Sequence, residues 1–174
     1  TEYVPKAGLS NSDYYIVNNY LAGVADTGAR MRVLCEMFRG SEEPVVLVFF
    51  ADHKPWLGEN SVTYAALGID LDAPGETGAA ATYLTDYLIW ANDAAKARLG
   101  KEFRGEGPTV SPCFLMNVLF EQCGWDGPAY QKLTDDVMAR TPIVSMHDWY
   151  GEFGSLSAFD ALDEQAQKRI TQMQ

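Results

Sequence analysis

From Asn11 to Arg39 the apolar residues Val17, Leu21, Val24, Met31, Leu34 and Phe38 recur at intervals of three, four or seven. That spacing gathers them on one face and predicts a single long amphipathic helix. Ser10 or Ser12 is available to cap it, and Gly40 to stop it. After Glu42, Glu43 and Pro44 the pattern changes, because Val45, Val46, Leu47, Val48, Phe49 and Phe50 form an apolar run with no polar alternation. A β-branched and aromatic run of this kind predicts a strand covered on both faces, as in a parallel sheet flanked by helices. Its carboxyl end delivers Ala51, Asp52, His53, Lys54 and Pro55, at the place where open α/β sheets put their ligand crevice.

Farther along, Asp70 to Ala81 is rich in Gly, Ala, Asp and Pro and reads as an exposed loop, and Tyr83 to Trp90 reads as a second strand. A charged, Gly-punctuated loop covers Gly100 to Gly107, after which Ser111-Pro112 predicts a helix start. That helix carries Phe114, Leu115, Val118, Leu119 and Cys123 and ends at Gly124. Further helices are expected over Pro128 to Arg140 and, more polar, over Phe159 to Met173. Internal repeats and Gly-rich phosphate loops are absent from the sequence. The 174 residues, 47% of them hydrophobic, suffice for a core, and residues 1–174 read as a single α/β domain.

Charge narrows the possible partners. A formal net charge of -11, with no Lys/Arg cluster to interrupt it, repels phosphate backbones and argues against nucleic acid. The longest apolar run, Val45 to Ala51, is far short of the roughly 20 residues a membrane span needs, and no charged-then-apolar leader opens the chain. The three cysteines, Cys35, Cys113 and Cys123, form no CxxC or Cys/His cluster, and an odd count excludes complete internal pairing. Cys113 and Cys123, read on one helix, stand about 15 Å apart, beyond disulfide reach. All three read as small buried hydrophobes.

Asp52-His53 pairs a hard carboxylate with a borderline imidazole, a combination suited to Mn, Mg or Zn in hydrolytic sites. The plainer alternative has Asp52 capping a turn and His53 packing in the loop. The segment VVLVFFADHKPWLG, Val45 to Gly58, resembles the sulfatase-like segment of lipoteichoic-acid synthases and related phosphoglycerol transferases. Further pieces follow in the family's order: Asn19-Tyr20-Leu21 on the preceding helix, Tyr64, Leu67-Gly68, Tyr87 to Asn92 as the next strand, and Ser111-Pro112 opening a helix that ends near Gly124. Lys54 departs from the family pattern, which has an apolar residue there.

The resemblance implies a partial alkaline-phosphatase or sulfatase-like fold with a mostly parallel inner sheet. It implies that Asp52 and His53 ligate a catalytic divalent metal. Read from the residues themselves, Lys54, Asn19 and His147 are secondary candidates for substrate contact. The family's threonine nucleophile and acidic ligand have no match before Asp52, so the nucleophile is expected upstream of residue 1. The chain then reads as the C-terminal part of a catalytic domain, inactive in isolation. Its expected partners are the upstream half of that domain, an upstream membrane anchor, and a phosphoglycerol lipid or glycan substrate at the extracytoplasmic face of a cell membrane. A strand without its upstream neighbours also implies self-association of the fragment. Two rival readings stand beside this one: a non-catalytic binding or assembly module, and a complete small metallohydrolase using Asp52, His53, His147 and Asp148.

Overall fold

A computed structural model of the chain describes residues 2–6, 8–59 and 62–173, apart from the side chain of Ala79. The backbone divides into two compact units, Thr1–Arg98 and Leu99–Gln174, where the sequence reads as one domain.

In the first unit, helix α1 (Asn11–Arg39) starts at Ser10, whose hydroxyl oxygen accepts the Asp13 N–H at 3.1 Å and whose O–H donates to the Asp13 carboxylate at 2.6 Å. This reciprocal cap satisfies an N–H that the helix leaves without a partner. The helix ends at Gly40, as its spacing predicts. The amphipathic face is only partly covered, however. Asp13 and Val17 are its buried residues, all of 22–30 is exposed, and Val33 and Met37 stand in solvent.

Strand β1 (Val46–Phe50) pairs with β2 (Tyr87–Ala91), running in register from Val46 opposite Ala91 to Phe50 opposite Tyr87. The pairing is antiparallel, and among the described residues this sheet has two strands, so the expected parallel inner sheet is not found here. Nor is β1 covered on both faces, since four of its residues are half-buried and Phe50 is exposed. An apolar run records how much burial a strand prefers; it carries no information on the direction of its neighbour.

Between the strands lie α2 (Val62–Ala66) and α3 (Gly75–Tyr83). Helix α3 replaces the second half of the expected Asp70 to Ala81 loop, and it delays β2 to Tyr87. Its Ala-rich sequence forms helix readily once Pro74 has started it. Gly78 is required there, because a Cβ would lie 1.8 Å from the Ala73 carbonyl oxygen.

The turn from β2 into α4 (Asp93–Leu99) is tied by Asn92, which is 1% exposed. Its Oδ1 accepts the N–H groups of Val45 and Ala95 at 3.0 and 2.9 Å. Its Nδ2 donates to the carbonyls of Phe38, Ser41 and Glu43 at 3.0, 3.3 and 2.9 Å. One amide thus joins the end of α1, the entry to β1 and the start of α4.

In the second unit, Ser111 and Pro112 open a 3₁₀ turn (Pro112–Phe114) that continues as α5 (Leu115–Cys123) and stops at Gly124 with φ 64, as expected from sequence. Helix α6 (Ala129–Met138) follows, then the short antiparallel strands β3 (Ile143–Val144) and β4 (Tyr150–Gly151). The expected last helix begins as a 3₁₀ turn (Phe159–Ala161), and α7 proper is Glu164–Met173. Phe114, Val137, Tyr150 and Ile170 form the core. Buried Asn117 locks α5 to α6 through the Thr134 hydroxyl and the Asp135 carboxylate at 2.8 and 2.6 Å.

The cysteines differ from expectation. Cys123 is buried, Cys35 is half-buried and Cys113 is exposed, because the 3₁₀ turn directs Phe114 rather than Cys113 into the core.

Candidate functional site

Ala51, the residue after β1, is held against the partner strand. Its N–H donates to the Asp86 carbonyl at 3.4 Å, and its own carbonyl accepts the Thr85 hydroxyl at 2.9 Å. Where the chain leaves the sheet, Asp52 Oδ1 accepts the His53 N–H at 2.9 Å. The other carboxylate oxygen, Oδ2, lies 3.4 Å from His53 Nε2.

The imidazole is oriented from its opposite side. His53 Nδ1 is 2.7 Å from the Lys54 carbonyl oxygen, which can only accept, so Nδ1 carries the proton. In the neutral ring Nε2 then bears the lone pair, and in the protonated ring it forms an ion pair with Asp52 Oδ2. A backbone carbonyl on one ring nitrogen is the arrangement that prepares the other nitrogen for a metal. Two donors on one ion at about 2.1 Å lie about 3.0–3.4 Å apart across octahedral to tetrahedral geometries, so the residues present fit two neighbouring ligand positions. Among the described residues no group of three His, Cys, Asp or Glu side chains gathers. The pair is open to solvent, with the side chains of His53 and Asp52 71% and 81% exposed.

The loop beyond is braced from beneath. Tyr64 of α2, 6% exposed, donates its hydroxyl to the Pro55 carbonyl at 2.5 Å. Burial pushes the Tyr64 phenol above its ordinary pKa, with the nearby Tyr20 phenol adding to the effect. Leu57 is buried, and Gly58 takes φ +93, where a Cβ would meet Thr63 Oγ1 at 3.3 Å. Thr63 in turn donates to Asp13 Oδ1 at 2.6 Å. The Asp13 carboxyl is held below its ordinary pKa first by the Ser10 hydroxyl and then by that of Thr63, against the opposing effect of burial.

The remaining candidates fall elsewhere. Lys54 is half-buried, and its part in the pair is its backbone carbonyl. Asn19 is exposed, in a shallow groove along α1 with Tyr20, Gly23, Val24 and Thr27. His147 belongs to the second unit, where its N–H donates to Ser145 Oγ at 3.0 Å and its ring lies 5.7 Å from that of Trp149. Asp148, at φ 61, uses its carboxylate to accept the Phe159 N–H at 2.8 Å, which is a structural assignment. Sequence reasoning gave no role to Thr85, Tyr64, Thr63 or Asp13. Only the fold reveals their bracing, although Tyr64 stands in the ordered set that carries the resemblance.

An exposed Asp–His donor pair at a strand end, oriented by its own backbone, is what this fold and site define. Over 125 residues, 70% of its length, the chain is 26% identical to the "Putative cyclic beta-1,2-glucan modification protein" of Rhizobium meliloti (strain 1021). The match covers 18% of that relative. No family model and no solved structure matches the chain. Among the described residues no helix is long and apolar enough to cross a membrane.

Proposed function

We propose that this chain carries the Asp52–His53 half of a divalent-metal site in a sulfatase-like enzyme that modifies a cell-envelope glucan. The reading is a transfer of phosphoglycerol from a lipid donor, or hydrolysis of a related phosphate or sulfate ester. The observation that carries it is the oriented imidazole: Nδ1 is bound to the Lys54 carbonyl, and Nε2 and Asp52 Oδ2 stand 3.4 Å apart on one side. The resemblance of Val45 to Gly58 to phosphoglycerol transferases and the similarity to a protein named for glucan modification support the same reading.

In this reading Asp52 and His53 hold Mn, Mg or Zn. A bound divalent ion supplies positive charge against the oxygens of the transferring group and lowers the pKa of a coordinated nucleophile. The work of this chain is to set two ligands before the ion arrives. The His53 N–H turns the Asp52 carboxylate, the Lys54 carbonyl fixes the imidazole tautomer, and Tyr64 steadies the loop that carries both. The nucleophile, an acidic ligand and a membrane anchor belong, in this proposal, to an upstream part of the polypeptide, with the chemistry at the extracytoplasmic face.

The test is Mn²⁺ titration of the purified chain by calorimetry, with Asp52→Ala and His53→Ala beside it. Each substitution is expected to weaken binding by about 10–100-fold, the scale on which ligands and their orienting partners act. Equal affinity in all three proteins removes the assignment. The high exposure of both side chains favours a second reading, a binding or assembly module in which the pair has no ion. A folded chain with no measurable Mn²⁺, Mg²⁺ or Zn²⁺ binding, alone or joined to its upstream sequence, selects the module.

A further inference from the structure

Three residues beyond His53, the chain spends an indole on the solvent. Trp56 is 77% exposed, and it forms no hydrogen bond, ion pair or ring contact with a described residue. A large aromatic surface left in water forgoes about 2 kcal/mol or more of burial free energy, so a bare tryptophan on a mobile loop would ordinarily fold back onto the unit. The backbone on either side of it is anchored. On one side of it the Pro55 carbonyl is tied to the buried Tyr64 hydroxyl at 2.5 Å, and on the other Leu57 is 5% exposed. Gly58 then turns the chain at φ +93 against Thr63 and Ile16. With both neighbours anchored, the backbone between them presents the indole outward, on the same short loop as the Asp52–His53 pair.

We infer that Trp56 is a stacking platform for a neutral pyranose ring of the glucan, positioning the acceptor beside the metal pair. The inference rests on the function proposed above and names the contact that would select its substrate. A sugar ring offers an apolar face of C–H groups and a rim of hydroxyls, which matches an indole face with a free N–H at its edge. A neutral ligand also suits a chain of net charge -11, which repels anionic polymers. No covalent step is assigned to Trp56; it is a positioning residue.

The test is calorimetric titration of the whole chain, in metal-free buffer, with cyclic β-1,2-glucan as the probe. Three proteins are compared: the unsubstituted chain, Trp56→Ala and Trp56→Phe, each checked for folding by circular dichroism. Trp56→Ala is expected to weaken binding at least about tenfold, equivalent to about 1.4 kcal/mol. Trp56→Phe, which retains an aromatic face, should stay within about threefold. Equal glucan affinity with and without the indole overturns the inference, and so does a folded chain that binds no glucan. If instead Trp56→Ala abolishes self-association and leaves glucan affinity untouched, the indole is a protein contact and the inference is likewise overturned. Loss of Mn²⁺ binding does not bear on these outcomes, so the two proposals fail separately.

Discussion

Asp13 illustrates how single side chains set the site's foundation. It accepts hydroxyl hydrogen bonds from Ser10 and Thr63, each at 2.6 Å, and these hold its carboxyl below the ordinary value of 3.8. The folded state therefore binds fewer protons than the unfolded state as the pH falls toward that value. The stabilisation is complete above the unfolded value and is lost as the pH drops through the lower folded one. Thermal melts from about pH 5 down to pH 2 should show this loss in the natural chain. Asp13→Asn should be less stable near neutrality and decline less steeply with acid. Parallel curves for the two proteins would contradict the account. Asp52 and His53 were visible as candidates in the sequence because their neighbours along the chain set their context. Their bracing by Asp13, Thr63 and Tyr64 was not visible, because those contacts join positions up to 50 residues apart.

At the scale of elements, Asn92 is the point where α1, β1 and α4 meet. Asn92→Ala would strip this partner from the Val45 and Ala95 N–H groups and from the Ser41 and Glu43 carbonyls, in a place that is 1% exposed, while the Phe38 carbonyl keeps the Gly40 and Ser41 N–H groups. Buried unsatisfied groups cost about 1–3 kcal/mol each, with some relief from water. Chemical denaturation should therefore show a loss of about 2–4 kcal/mol, and a change below about 0.5 kcal/mol would refute the role. Elements whose signals are local were legible in the sequence. Helix α1 begins at a serine cap and stops at Gly40, and α5 begins after Ser111-Pro112 and stops at Gly124 in the left-handed region. Elements decided by distant packing were not. The Ala-rich stretch around Gly78 reads as a loop by its Gly and Pro content, yet it forms α3, in which Gly78 leaves room for the Ala73 carbonyl that a Cβ would strike. The direction of β2 relative to β1 likewise has no counterpart in local pattern.

For the molecule as a whole, the exposed apolar surface bears on association. In the first unit both described strands are edges, and Phe50, Leu88 and Val33 are exposed at 60%, 52% and 61%. Open edges and apolar patches favour pairing with another copy, while a net charge of -11 opposes it. Self-association is thus expected to rise with protein concentration and with added salt, which screens the repulsion. Light scattering checks this, and a monomer at every concentration and salt level would contradict it.

By itself the sequence determined where the long helix caps, where the apolar strand lies and which acid and imidazole emerge at its end, because each is written in residues a few positions apart. Tertiary structure alone decided that β1 and β2 run antiparallel, that Nδ1 of His53 meets a carbonyl so that Nε2 stands beside Asp52, and that Trp56 is held outward. The strand direction depends on pairing between segments distant in sequence, and the His53 contacts, although between adjacent residues, depend on side-chain rotamers; a hydrophobic pattern encodes neither.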